Sequence, residues 1–77
     1  MHVLERFGEK MLMLRKRHRM TLQQLADALG YTGIGYLSRV ETGHRRPSIE
    51  LAIKMAALFR VSVDQLVLDD LELPYAE

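Results

Sequence analysis

Residues 21–43 read TLQQLADALGYTGIGYLSRVETG, and this stretch decides the fold predicted for the 77-residue chain. Thr21 and, three positions later, Gln24 form the sequence signature of a capping box, which starts a helix. Apolar residues at helical spacing follow as far as Leu29, and Gly30 suits the left-handed position just after a helix. We therefore predict a helix of about two and a half turns that begins after Thr21 and ends at Leu29.

A second helix is predicted over about residues 32–42, with Thr32 as its N-cap and Gly43 as the residue that stops it. Leu37 and Val40 are spaced so that both side chains face the core. The outward face is left with small and polar residues, namely Gly33, Gly35, Tyr36, Ser38, Arg39 and Thr42. A short helix with such a face is shaped for close approach to another molecule.

The rest of the chain predicts three more helices and no strand. Residues 3–17 carry one apolar stripe at helical spacing and end in the basic run RKRHR of residues 15–19. That run either binds a polyanion or caps the helix and adds solubility, since cations are favourable at a helix C-terminus. Ser48 and Ser62 are predicted to cap the last two helices.

The fourth predicted helix has more apolar residues than a surface helix of its size needs. The stripe predicted to face the core comprises Ile49, Ala52, Ala56 and Phe59. A second apolar stripe then remains on another side of the helix, where it is a candidate subunit contact unless Val61, Val63 and Leu66 cover it. The predicted dimer interface comprises Leu51, Met55 and Leu58 of this stripe with Leu66, Leu68 and Leu71 further along the chain.

Charges are distributed unevenly along the chain, although they sum to only +1. Residues 1–46 carry nine Lys or Arg and four Asp or Glu, a net charge of +5, whereas residues 47–77 carry two and six, a net charge of −4. Such asymmetry indicates one basic face for a polyanion and a separate acidic end. The alternative at this point is a scatter of solvated charges.

The same sequence disfavours several classes of protein. It has no run of the roughly 18 apolar residues that a membrane span requires, and no signal-peptide pattern, so we expect a cytoplasmic protein. The chain has no cysteine, which leaves neither disulfides nor a thiolate metal site. The histidines show no metal-ligand spacing, and no nucleophile has catalytic partners. We expect no enzyme activity, no metal, no cofactor and no small-molecule ligand.

Four motifs in order resemble the helix-turn-helix DNA-binding domains of phage repressors and Cro-like regulators. They are T-x-x-Q-L-A-x-x-L-G from Thr21, Y-L-S-R-V-E-T-G from Tyr36, R-x-P-S from Arg45 and V-S-V-D-Q-L from Val61. The resemblance covers about residues 4–68. It implies a compact, all-α, five-helix domain of the lambda-repressor type, which we expect to be the single domain of residues 1–77, with 69–77 as a short acidic and apolar tail.

The resemblance also implies a function, namely a transcriptional regulator, expected to be a repressor, that binds double-stranded DNA at a roughly palindromic operator as a homodimer. The positions that read bases in the family fall on Ile34, Gly35, Ser38 and Arg39. The phosphate-binding positions fall on Thr21, Gln23, Gln24, Tyr36, His44, Arg45 and Arg46. A structural ion pair of the family falls on Arg15 and Glu41, where it would fix the angle of the recognition helix.

Two departures from the family pattern affect these expectations. Relatives often place a phosphate-contacting glutamine second in the supporting helix, where this chain has Leu22, so that role passes to the glutamines that follow. The turn carries one extra residue, and Ile34 and Gly35 offer no hydrogen bonds to base edges, although Ile34 can contact a thymine methyl. Direct readout is therefore expected to rest on Arg39, whose fork suits guanine, with Ser38 and Tyr36 as candidates for support.

Two alternatives stay open at the level of the sequence. Tyr36 either contacts the phosphate backbone or only packs on the supporting helix. The chain as a whole is either a dimeric DNA-binding regulator or a protein-interaction module, such as an antitoxin or a coactivator, that binds a partner protein through the fourth helix and the tail. The two functions are not exclusive.

Overall fold

Helices joined by short turns make up most of the chain. A computed structural model describes residues 2–74, which contain α1 (Phe7–Arg17), α2 (Leu22–Leu29), α3 (Gly35–Glu41), α4 (Ile49–Phe59) and α5 (Val63–Val67). Within those residues no strand forms, although one antiparallel bridge joins Val3 to Leu68. None of these five helices has the length and apolar character that crossing a bilayer requires. The last three residues of the predicted tail lie outside the described residues.

One apolar core is shared by all five helices. α1 packs against α3 and α5, α2 packs against α3 and α4, and α4 packs against α5. Leu37 and Val40 of α3 are buried in this core. The side chains at its centre, each fully buried, are Phe7, Met11, Leu25, Leu37, Leu51, Met55 and Leu66. Because α3 is held from one side by α1 and α2, its opposite side faces outward.

Local capping signals placed three helix starts correctly, those after Thr21, Ser48 and Ser62. At α2 the Thr21 hydroxyl accepts a hydrogen bond from the Gln24 amide at 3.1 Å, and the Gln24 side-chain oxygen accepts one from the Thr21 amide at 2.8 Å. Gly30 ends α2 with a left-handed φ of 84°. Ser62 and Gln65 form the same reciprocal box at α5. Both boxes lie within four consecutive residues, which is why the sequence reveals them.

The prediction that the first helix begins at residue 3 is wrong. Leu4 has a left-handed φ of 64°, which a continuous helix does not allow, and α1 begins only at Phe7. The residues before it pair with the other end of the chain, through the bridge from Val3 to Leu68 and a 2.8 Å hydrogen bond from the Leu4 amide to the Val67 carbonyl. Pairing with a distant segment therefore overrides the helical periodicity.

The backbone just before α1 is held from 63 residues away. Asp69 is only 7 % exposed, and its carboxylate accepts hydrogen bonds from the amides of Glu5 at 3.2 Å and Arg6 at 2.9 Å. The Arg6 guanidinium donates in turn to the Asp69 carbonyl at 2.8 Å and to Glu72 at 2.7 Å. Asp69 was predicted to lie in a tail beyond the core, and this was wrong, because its carboxylate is buried against the two residues that precede α1.

Lys10 joins the same region from inside the molecule. Its side chain is fully buried, and burial lowers its pKa. The ammonium donates three hydrogen bonds to the backbone carbonyls of Gln65, Leu68 and Leu71, at 2.6, 2.9 and 2.7 Å. Three acceptors for three N–H donors satisfy the buried cation completely. We call the contact between residues 2–10 and residues 65–72 the terminal junction.

The predicted division of α4 into core and subunit faces is wrong for Ile49, Leu51 and Met55, although Ala52 and Phe59 are buried in the core as predicted. Ile49, assigned to the core, is 71 % exposed, whereas Leu51 and Met55, assigned to a dimer interface, are fully buried. Leu66, a further interface residue, is also fully buried, since α5 packs its apolar side onto α4. Of the remaining predicted interface residues, Leu58 and Leu71 are exposed and Leu68 is half-buried. A side chain inside the core is unavailable to a second subunit. Leu51, Met55 and Leu66 therefore cannot form the predicted dimer interface.

Candidate nucleic-acid interface

The outward side of α3 carries three of the four predicted base-reading residues, Gly35, Ser38 and Arg39. Arg39 is exposed, and its guanidinium lies back along the helix, so that a Cβ at position 35 would be 3.5 Å from Arg39 Nη1. The bare backbone at Gly35 thus leaves room for the guanidinium over the first turn of α3. From there a guanidinium can donate two parallel hydrogen bonds to one guanine edge.

α3 begins later than predicted. The expected N-cap, Thr32, lies in the turn, and the helix starts at Gly35 with Ile34 as its N-cap and no side-chain cap. The first backbone hydrogen bond of the helix runs from the Ser38 amide to the Ile34 carbonyl at 2.8 Å. Ile34 is 41 % exposed just before the helix, at the side where Gly35 leaves the backbone bare. The other end was predicted correctly, since Gly43 takes a left-handed φ of 84°.

The N-terminus of α2 offers hydrogen-bond donors beside α3. The capping box uses the acceptor atoms of Thr21 and Gln24, which leaves the Thr21 hydroxyl proton and the Gln24 amide protons free to donate. The first backbone amides of the helix have no intrahelical acceptor, and the helix dipole there favours an anion. Gln23 is partly engaged, because its side-chain nitrogen donates to Asp27 at 2.9 Å. This end of α2 is therefore suited to a phosphate.

Tyr36 links α3 to the start of α4. Its hydroxyl oxygen accepts a hydrogen bond from the Ser48 amide at 2.8 Å, and its ring lies 5.7 Å from the ring of Tyr31. The guanidinium of Arg45 lies over the Tyr36 ring, 5.5 Å from its centroid. Tyr36 therefore packs within the protein, yet its hydroxyl proton stays available to a phosphate oxygen.

The basic turn after α3 is folded onto the end of that helix. The amides of His44 and Arg45 both donate to the Arg39 carbonyl, at 2.8 and 3.1 Å. The His44 ring is held by a 2.9 Å hydrogen bond between its Nδ1 and the Thr42 hydroxyl. His44, Arg45 and Arg46 are all exposed. Three exposed basic side chains thus follow the end of α3.

Arg15 and Glu41 form a two-pronged ion pair between α1 and the last residue of α3. Arg15 Nε and Nη2 donate to the two Glu41 carboxylate oxygens at 3.0 and 2.7 Å, and Nη1 donates to the Met20 carbonyl at 3.0 Å. Both side chains are largely buried, at 16 % and 12 % exposure. The hydrogen bonds to Glu41 raise the pKa of Arg15. The Arg15 guanidinium therefore bonds within the protein and does not point into solvent.

Some residues that shape this surface were not predicted from the sequence. Gly8 lies inside α1, and a Cβ there would collide with the Val40 carbonyl oxygen and lie 2.8 Å from the Glu41 carbonyl oxygen. A glycine inside an otherwise regular amphipathic helix is itself a sign of close backbone approach, and that signal was available. The hydrogen bonds of the Thr42 hydroxyl and of the Ser48 amide could not be predicted from the sequence, because their partners depend on how the turn after α3 folds.

Comparison with known proteins gives consistent matches. The helix-turn-helix family model matches residues 11–66. The HTH-type transcriptional regulator AnsR of Bacillus subtilis is 37 % identical over 59 residues, which cover 77 % of this chain and 50 % of AnsR. The N-terminal DNA-binding domain of SinR from Bacillus subtilis has a TM-score of 0.73 at 32 % identity, covering 80 % of this chain and 90 % of that domain.

A solved complex of SinR protein with SinI protein also contains a similar chain, with a TM-score of 0.73 and 34 % identity, covering 83 % of this chain and 61 % of that one. The chain spans about half the length of the curated relatives it matches. The superposition on the SinR domain confirms the predicted all-α, five-helix architecture. The matched region includes α2, α3 and the basic turn. The terminal junction extends on both sides beyond the family match.

Proposed function

The chain belongs to the helix-turn-helix family of DNA-binding transcriptional regulators, which are not enzymes, and from that premise we propose that it is a repressor that binds a roughly palindromic operator as a homodimer. The observation that carries the proposal is the placement of Arg39. Its guanidinium lies over Gly35 on the outward side of α3. Donors from α2 and basic side chains from the turn after α3 stand on either side of it.

Base reading in this proposal rests mainly on Arg39. A guanidinium fork pairs with the O6 and N7 atoms of guanine, and one such contact contributes about 1–3 kcal/mol of discrimination. Ser38 lies one position before it and can donate to a neighbouring base. Ile34 and Gly35 bring apolar surface and backbone close to the groove, where Ile34 suits a thymine methyl. With so few polar readers, the shape of the DNA is expected to add to specificity.

Phosphate contacts in this proposal flank the recognition helix. Thr21 and the first amides of α2 would hold one phosphate group, while Tyr36 and Arg45 would hold another. His44 and Arg46 extend the basic surface beyond α3. Such contacts fix the position of the protein without carrying sequence information. The ion pair of Arg15 with Glu41 would act indirectly, by fixing the angle at which α3 leaves the core.

A homodimer and a palindromic site are supported by size. The described part of the chain measures 33 × 29 × 18 Å. Half-sites bound by helix-turn-helix dimers are centred about 34 Å apart, one turn of the DNA helix. Two copies side by side therefore match the spacing of two half-sites on one face of the DNA. A repressor acts by occupying its operator, which requires no activity beyond this binding.

The test is selection of bound sequences from random DNA, followed by gel-shift titration of variants on the selected site. Arg39→Ala is expected to lower the affinity by about 1–3 kcal/mol, and to relax the preference at one base pair. Lys16→Ala, a change of the same kind at the exposed end of α1, should leave that preference in place. If Arg39→Ala binds the selected site as the wild type does, the assignment of the recognition residue is wrong.

A second function is favoured by one specific comparison, the complex in which a similar chain is bound to the SinI protein. A protein partner of this chain would use surfaces away from α3, where Leu58 and Leu71 are 39 % and 41 % exposed. Sedimentation over a range of concentrations separates the two cases. Reversible self-association supports the homodimer, whereas a monomer that dimerises neither alone nor on DNA favours a different partner.

A further inference from the structure

The largest apolar side chains that the described surface exposes include two on one side of α4. Ile49 is 71 % exposed and Ile53, one turn further, is 56 % exposed. Val3, at 44 % exposure, lines an apolar groove of about 290 Å³ with Ile49, Ala52 and Val67. Ile49 and Ile53 are neighbours on the helix surface at i and i+4. We call Val3, Ile49 and Ile53 the valine–isoleucine patch.

This patch lies at the edge of the proposed DNA-binding surface. Ile49 follows Ser48, whose amide is bound to the Tyr36 hydroxyl of the recognition helix. A symmetric dimer on DNA needs its subunit contact beside the DNA-facing side, so that both recognition helices can enter the groove about 34 Å apart. The valine–isoleucine patch meets that requirement. The former candidates Leu51, Met55 and Leu66 do not, since they are buried in the core.

The size of the patch indicates the kind of partner. Three partly exposed aliphatic side chains supply much less than the roughly 800 Å² per partner that a stable interface buries. A partner that arrives freely from solution would need more contact than this. A second copy bound to the neighbouring half-site is already held close by the DNA, so that a small contact is enough.

Charge at the border of the patch also suits a second copy. Glu50 and Lys54 form an ion pair at 3.2 Å along the next row of α4. A two-fold axis places the same surface on both sides of the contact. Glu50 of one copy can therefore face either Glu50 or Lys54 of the other copy. A border with one acid and one base can pair across such an axis without a net like-charge repulsion.

We propose that the valine–isoleucine patch is the surface through which two copies of this chain meet on adjacent half-sites, with an assembly that depends on DNA. This inference rests on the proposed function and names its dimer contact. It places Val3 in the interface, so the bridge that fixes Val3 against Leu68 also shapes the contact. Isolated chains are then expected to be mainly monomeric, and to bind paired half-sites cooperatively.

The experiment is a gel-shift titration on DNA with one half-site and on DNA with two half-sites at varied spacing. The wild type should fill the second half-site about tenfold or more tightly than the first at the preferred spacing. Ile53→Glu, at an exposed helical position, should keep the affinity for a single half-site within about twofold and lose the preference for paired sites. Ile49→Lys provides a second variant in case the first one unfolds, and thermal unfolding verifies both.

Leu58→Glu is the matched control. Leu58 is also exposed on α4, but it lies nine positions after Ile49, about 180° around the helix. It should leave cooperativity unchanged. Because the chain has no cysteine, Ile53→Cys can also be cross-linked by a short bismaleimide, and a dimer should form only on paired half-sites.

Three outcomes overturn the inference while leaving DNA binding in place. They are full cooperativity in folded Ile53→Glu, loss of cooperativity in Leu58→Glu alone, and a wild type that binds paired sites independently at every spacing. A wild type that binds no DNA at all contradicts the proposed function instead, so the two failures are distinguishable.

Discussion

At the scale of single residues, Gly8 decides how closely α1 approaches the end of α3. A Cβ at this position would collide with the Val40 carbonyl oxygen, and would lie 2.8 Å from the Glu41 carbonyl oxygen. Backbone atoms of a packed helix cannot move aside as the end of a flexible side chain can. The contact therefore requires glycine, although glycine in a helix costs about 1 kcal/mol relative to alanine.

Gly8→Ala is therefore expected to destabilise the protein, although alanine has a higher helix propensity than glycine. Overpacking of this kind costs about 1–3 kcal/mol, and we expect a net loss in that range in the free energy of unfolding measured in urea. Gly33→Ala is the control, because no atom lies within 4 Å of a Cβ there and its φ is not left-handed. If the two variants are equally stable, α1 and α3 are not held in the close contact described.

Gly35 is a different case, because its nearest neighbour is the flexible Arg39 side chain. A Cβ there would lie 3.5 Å from Arg39 Nη1, an ordinary contact, so Gly35→Ala should stabilise α3 by about 1 kcal/mol. The added methyl would occupy the space beneath the guanidinium and the surface that approaches DNA. We expect higher thermal stability together with weaker binding to the selected operator in a gel shift. A variant that gains stability and keeps full affinity would show that Gly35 has no role in recognition.

At the scale of helices, the sequence predicted those features whose partners are close in the chain. The capping boxes at Thr21 and Ser62 lie within four residues, and both were found. The start of α1 was missed because Asp69, which holds the backbone just before the helix, is 63 residues from Arg6. Periodicity also failed on α4, where two apolar stripes were available and only the packing against α2 and α5 selects the buried one.

The same reasoning describes what could be predicted of the candidate site. The residue types of the recognition helix and the basic turn are visible in the sequence, because the motifs are local. The position of the Arg39 guanidinium over Gly35 and the hydrogen bond between the Ser48 amide and the Tyr36 hydroxyl could not be predicted from the sequence. Each depends on how two segments meet. Leu51, Met55 and Leu66 were wrongly assigned to a dimer surface for the same reason, because only the packing of helices shows that they are buried.

The contact of Asp69 with the residues just before α1 gives a prediction at this scale. Asp69→Ala removes the acceptor of two part-buried amides and should cost about 1–3 kcal/mol of unfolding free energy in urea. Asp70→Ala, at an exposed neighbouring position, should change stability by less than about 0.5 kcal/mol. Equal stability of the two variants would mean that the terminal junction does not stabilise the fold.

At the scale of the whole molecule, part of the acidic charge of the sequence is paired within the fold, whereas the cations of the turn after α3 stay exposed. The exposed cations of the turn after α3 stand beside the recognition helix, whereas Glu72 is paired with Arg6 in the terminal junction. The hydrogen bond from Arg6 lowers the pKa of Glu72. Acidic residues near the chain end are thereby held with the α1 start, so the small net charge of +1 conceals a basic surface.

The salt dependence of DNA binding tests which cations belong to that surface. Each phosphate neutralised contributes about −0.9 to the slope of log affinity against log salt, because a bound counterion is released. Arg45→Ala and Arg46→Ala should each reduce the magnitude of the slope by about 1, and should weaken binding to selected and unrelated DNA alike. The measurement is a fluorescence-anisotropy titration at several salt concentrations.

Arg60→Gln is the matched control for these two arginines. α4 begins beside Tyr36 at Ser48 and ends at Phe59, and 11 helical residues extend about 16 Å, so Arg60 lies at the far end from the recognition helix. Its loss should leave the slope unchanged, although it removes the same formal charge. If Arg60→Gln reduces the slope as much as Arg46→Ala does, long-range attraction by net charge governs binding. The basic turn would then have no contact of its own with the phosphates.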